Sequence, residues 1–227
     1  MKPNQQDVIG GAPARSTPLE SLRDATHECH QRLEATIDWP QALGSLACYQ
    51  QLLTCFLSVV KPAEEQSAKW LVPDPPPDFE PGVRTAWLER DLRALAGSEV
   101  DRPSIANTFY VQPTADLCGA RAGAGNPVDD FGFIGSWPAA IGAQYVLEGS
   151  SLGGQFLSRQ LEHSLSLTSE NGGAYFAAYG TATMPRWKSF KLWANERLAN
   201  SDATQAASEA AVLLFARFQT AAAELAK

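Results

Sequence analysis

The sequence predicts an all-α, single-domain fold of roughly six to eight helices, on three observations. Apolar residues recur at helical spacing in several long windows. No window sustains the alternation of β-branched and polar residues that a strand needs. Clusters of proline and glycine separate the periodic windows, as loops should. A length of 227 residues with 44% hydrophobic content is enough for one full-sized core. Residues 1–18, with Gly10, Gly11, Pro13 and Pro18 among polar residues, are expected as a flexible leader, and residues 19–227 as the helical domain.

The elements follow in order. A helix is expected from Pro18, capped by Ser16 or Thr17, with Leu22, Thr26, Cys29, Leu33 and Ile37 inward and an end before Pro40. A second is expected from Ser45 to Val60, stopping at Pro62, with Glu64 to Leu71 as a short separate piece. The proline-rich stretch Val72 to Pro81 must be a loop, followed by a helix over Thr85 to Leu95. Residues 97–131 show no readable period. Ile134 to His163 reads as a long helix broken by glycines, Ser169 to Gly173 as a turn, and Asp202 to Ala226 as the last helix.

A net charge of −7 and a pI near 5.0 argue against nucleic acid or an anionic membrane as general partners. No apolar run approaches the ~20 residues of a membrane span, and the leader lacks a signal-peptide centre, so a cytoplasmic location is expected. Cys29, Cys48, Cys55 and Cys118 have no C-x-x-C spacing and read as reduced, buried thiols.

Two groups of residues carry chemistry. Arg23, His27, His30 and Glu34 fall at offsets of 0, 4, 7 and 11 on the first helix and so share one stripe. His30 borders the apolar face, where a neutral imidazole can offer a nitrogen to a metal. Glu34, one turn on, can accept from the other ring nitrogen, and Arg23 can meet an anionic edge of the same ligand. A solvated His–Glu pair is the plain alternative. The second group is Gly149, Ser150, Gly153 and Gly154, where glycines inside a helix cost roughly 1 kcal/mol each against alanine. A flat ligand lying on bare backbone would account for them, and so would close helix–helix packing.

Taken together, these segments resemble the heme oxygenases. Leu22-Arg-Asp-Ala-Thr-His-Glu-Cys-His30-Gln-Arg-Leu-Glu34 is similar to that family's proximal helix, and Tyr145 through Gln155 to its glycine-rich distal helix. Tyr49 to Glu65 resembles the family's second helix, and Tyr175 to Gly180 with Trp187 and Phe190 resembles the bacterial, phytochrome-associated branch. The resemblance implies heme held between two helices, with His30 rather than His27 as the iron ligand. It implies His27 and Arg23 near one propionate, Lys188 (or Lys191) near the other, and Gly149, Gly153 and Gly154 along the distal face. The activity implied is oxygen- and reductant-dependent cleavage of heme to biliverdin, carbon monoxide and ferrous iron. Heme would then be both cofactor and substrate. Dioxygen, an electron donor such as ferredoxin or a flavoprotein reductase, and a bacterial phytochrome as biliverdin acceptor are the partners implied.

The sequence departs from the family's animal members at Ser150, where those carry an aspartate. A hydroxyl orients water but holds no charge. The nearest carboxylate, Glu148, leaves the helix about 100° away from Gly149. A non-catalytic heme- or bilin-binding relative is therefore a second expectation. A diiron oxidase or thiol hydrolase of similar architecture is a third, poorly served by only three histidines and by a Cys29 turned about 100° from His30.

Overall fold

The computed structural model of the chain describes residues 16–96 and 131–224. The expectations for the leader, for residues 97–130, for Cys118 and for the last three residues lie outside them.

Helix α1 (Pro18–Thr36) starts at a capping box. The Thr17 hydroxyl accepts from the Glu20 amide at 3.3 Å, and the Glu20 carboxylate accepts from the Thr17 amide at 2.7 Å. Ile37 leaves the helix in an extended conformation, and Asp38 caps the single turn α2 (Trp39–Ala42).

Helix α3 (Leu46–Leu71) corrects the sequence expectation, because it runs unbroken through Pro62. An interior proline costs about 3 kcal/mol in an isolated helix. Here Phe56, Val59 and Val60 before it, and Ala63, Ser67 and Leu71 after it, are all buried, so packing on both sides of the proline outweighs the lost hydrogen bond. The loop rich in proline follows, and then α4 (Val83–Ala96).

Helix α5 (Trp137–Leu165) begins three residues later than expected, at the cap Ser136, and the glycines do not interrupt it. After the short α6 (Ala174–Ala177) and a 3₁₀ turn (Gly180–Ala182) comes α7 (Thr183–Arg197), which the periodicity did not reveal. Only Thr183, Phe190, Trp193 and Ala194 of α7 are buried. Helix α8 (Ser201–Glu224) closes the described chain.

Helix α8 organises the rest. Its alanine-rich face packs along both α1 and α5, while those two helices make little direct contact with each other. The α5–α8 crossing is very close. A Cβ placed on Gly142 would lie 1.9 Å from the Ala207 carbonyl oxygen, so only glycine fits there. On the other side an aromatic cluster of Tyr49, Phe56, Tyr175, Phe176 and Phe218 joins α3, α6 and α8. Cys48 and Cys55 are free and buried, whereas Cys29, expected as a thiol, is disulfide-bonded. No helix among the described residues is long and apolar enough to cross a membrane.

Candidate functional site

Because α8 holds α1 and α5 apart, a cleft of about 370 Å³ lies between them. One wall is the polar stripe of α1, and Arg23, His27, His30 and Glu34 all line it. His30 Nδ1 lies 3.6 Å from Glu34 Oε2, and the imidazole edge meets the Phe215 ring of α8 at 5.7 Å between centroids. With Nδ1 facing the carboxylate, Nε2 is the nitrogen available to a ligand. Arg23 is turned to its neighbour Asp24, whose carboxylate accepts from Nε at 3.1 Å and from Nη2 at 2.9 Å.

The opposite wall is α5, where Gly149, Ser150, Gly153 and Gly154 line the same cleft. The glycines are there for two different reasons. A Cβ on Gly153 would meet nothing within 4 Å, and one on Gly149 would meet only the Trp187 ring, at 3.9 Å. Packing does not demand glycine at either place. A Cβ on Gly154 would lie 2.9 Å from the Phe176 carbonyl oxygen, so there close approach of α6 does demand it.

Beside the bare stretch stands a polar cluster the sequence did not disclose. Arg84, fully buried at the start of α4, lines the cleft. Its Nε donates to the Leu147 carbonyl at 3.0 Å, and its Nη2 pairs with Glu148 at 3.0 Å. Glu64 stands behind it, 3.8 Å from Nη1, and accepts from the Arg84 and Thr85 amides at 3.1 and 2.9 Å. Glu148 also accepts from Gln144 at 2.9 Å and does not line the cleft, so it does not stand in for a carboxylate at Ser150. The Ser150 hydroxyl donates to the Leu147 carbonyl at 2.8 Å, close to the Tyr175 phenol. Burial pushes the Tyr175 hydroxyl well above the ordinary tyrosine range, the nearby Arg84 charge opposing it, so the phenol stays protonated. Asp91 fixes that tyrosine, its two oxygens accepting from the Ala174 and Tyr175 amides at 2.9 and 2.8 Å.

Lys188 is not brought to the cleft. It is exposed on α7, whose cleft-lining residue is its neighbour Trp187, and successive residues of a helix point about 100° apart. Lys191 lies with its Nζ 5.7 Å from the Trp187 ring centroid, on the same helix. Among the described residues no three His, Cys, Asp or Glu side chains converge as a metal cage.

Helices of this order, enclosing a cleft between the first and the long central one, have the heme oxygenase fold. The resemblance to solved structures is extensive. The heme oxygenase of Neisseria meningitidis, solved with NO and CO bound, is 19% identical with a TM-score of 0.67 over 93% of this chain and 92% of that one. The heme oxygenase of Leptospira interrogans is 17% identical, with a TM-score of 0.65 over 92% of this chain and 100% of that one. Heme oxygenase-1 of the cyanobacterium Synechocystis, solved in complex with heme, is 18% identical, with a TM-score of 0.63 over 92% of each chain. No protein-family model and no curated protein matches the sequence.

Proposed function

We propose that the cleft binds heme, with His30 as the iron ligand, and that the protein opens heme to biliverdin, carbon monoxide and ferrous iron using dioxygen and an external reductant. The observation that carries this reading is the pairing of the two walls. The imidazole of His30 stands on α1, and a stretch of α5 bare at Gly149 and Gly153 lines the same slot across from it.

The residues present fit the group. His30 supplies a ring nitrogen, and Glu34, with Oε2 3.6 Å from Nδ1, fixes the orientation of the ring. Arg23 and His27, on the same wall, suit the carboxylates of a propionate edge, Arg23 exchanging Asp24 for the ligand. Phe56, Phe215 and Phe218 give the slot an apolar lining. Heme, when bound, supplies the redox-active iron and the ring that is cleaved. On the α5 side, Gly149 and Gly153 leave room for a diatomic molecule, and the Ser150 and Tyr175 hydroxyls orient water and hold protons beside it. Buried Arg84 fixes the backbone at Leu147, just before the bare stretch. An electron donor such as ferredoxin or a flavoprotein reductase, and a bilin-accepting phytochrome, complete the reading.

A single-turnover experiment tests it. The hemin complex, given ascorbate and oxygen, is expected to yield free biliverdin by chromatography. A complex that takes up oxygen and returns to ferric hemin without ring opening would favour the heme-carrying alternative, for which the uncharged Ser150 is the motive. Filling the slot should separate binding from folding. Gly153→Leu, with open space at its Cβ, is expected to keep the wild-type melting temperature while losing hemin affinity by at least tenfold in a Soret titration. Unchanged affinity would remove α5 from the binding wall.

A further inference from the structure

The cleft does not end at Gly153. Glu34, Trp39, Gly153 and Leu157 also line a second, broader groove of about 860 Å³ between α2 and the C-terminal half of α5. This groove has a chemistry of its own. Phe156 lies along it with 58% of its surface exposed, giving with Trp39 two aromatic side chains. Arg159 follows on the same stretch of α5, exposed, and no described carboxylate lies within ion-pair distance of it. Glu34, the groove's carboxylate, faces His30. On a chain of net charge −7, a guanidinium with no partner among the described residues, beside the exposed Phe156 ring and the half-buried Trp39, is a local site for a conjugated anion.

We propose that this groove is a second ligand subsite, which takes the open-chain tetrapyrrole as it leaves the cleft. The inference rests on the heme-opening reading above. A closed macrocycle tethered to His30 is rigid and stays in the slot between the helices. Once the ring is opened the chain can twist over Gly153, where no side chain obstructs it, and reach the groove. There its pyrrole rings lie against Trp39 and Phe156, and a carboxylate side chain meets Arg159 in a charge-assisted pair. The groove is thus a staging point between ring opening and release.

The test uses hemin-loaded protein, so that the cleft is filled, titrated with biliverdin and followed by the circular dichroism induced in the bilin band. One equivalent is expected to bind. Arg159→Glu and Phe156→Ala, both at exposed positions outside the cleft lining, are each expected to raise the Kd about tenfold, the scale of one charge-assisted or stacking contact, with the hemin Soret band unchanged. Biliverdin that binds only hemin-free protein and is displaced by hemin would overturn the proposal, as would variants with wild-type Kd. Loss of bilin binding with an intact, His30-dependent hemin complex refutes the groove alone. Failure to form that hemin complex refutes the heme reading and this inference with it.

Discussion

Replacing His30 by alanine is expected to abolish the sharp six-coordinate Soret band that hemin gives with the wild-type protein. The apolar lining remains in the variant, so hemin still partitions into the cleft. What is lost is the iron–nitrogen bond and the fixed seating it imposes. Changes to groups that only support a ligand cost about 10–100-fold in metal affinity, so loss of the ligand itself should cost at least about 100-fold. Added imidazole, small enough for the space vacated, should restore the band. Glu34→Ala should keep a hemin complex of lower affinity, within about 10–100-fold of wild type. A His30→Ala complex with an unchanged spectrum would transfer the ligand role to His27, which lines the same wall, and not to His163, which lines the neighbouring groove.

Gly142→Ala is expected to be the most damaging single-methyl change in the described chain. The added carbon would lie 1.9 Å from the Ala207 carbonyl oxygen and 2.7 Å from its carbon, and backbone cannot swing aside as a side chain does. Overpacking of this kind typically costs about 1–3 kcal/mol, so the melting temperature should fall by roughly 2–12 °C for a chain of this size. The shift of α8 that relieves the clash also changes the spacing of α1 and α5, so hemin affinity should fall with stability. Gly153→Ala is the control. With open space around it, the substitution gains helix propensity, up to about 1 kcal/mol, and should melt at or slightly above the wild-type temperature. Equal melting temperatures for the two variants would mean that the α5–α8 contact is not as close as the structure has it.

Most helices were legible because their buried faces repeat at helical spacing, and the four-residue stripe of α1 came from spacing alone. Pro62 misled because a local rule was opposed by burial on both sides of it, which only the fold reveals. Helix α7 was missed because its few buried residues leave most of its length polar. The glycines of α5 could be counted in the sequence but not sorted. Whether a missing side chain makes room for a neighbour, as at Gly154 and Gly142, or leaves a space, as at Gly153, depends on residues far along the chain. Arg84 was invisible for the same reason. It reads as a surface cation after a Pro-Gly turn, and its carboxylates come from two other helices.

That α1 and α5 are braced by α8 and scarcely touch each other has a further consequence. The aperture is a property of the scaffold, set where three helices dock. Residues that face the opening and pack on nothing else, Gly153 above all, are thereby relieved of architectural duty. They are free to vary with the chemistry required of them, while the inflexible positions lie behind, at the helix crossings, where a single methyl group is too many.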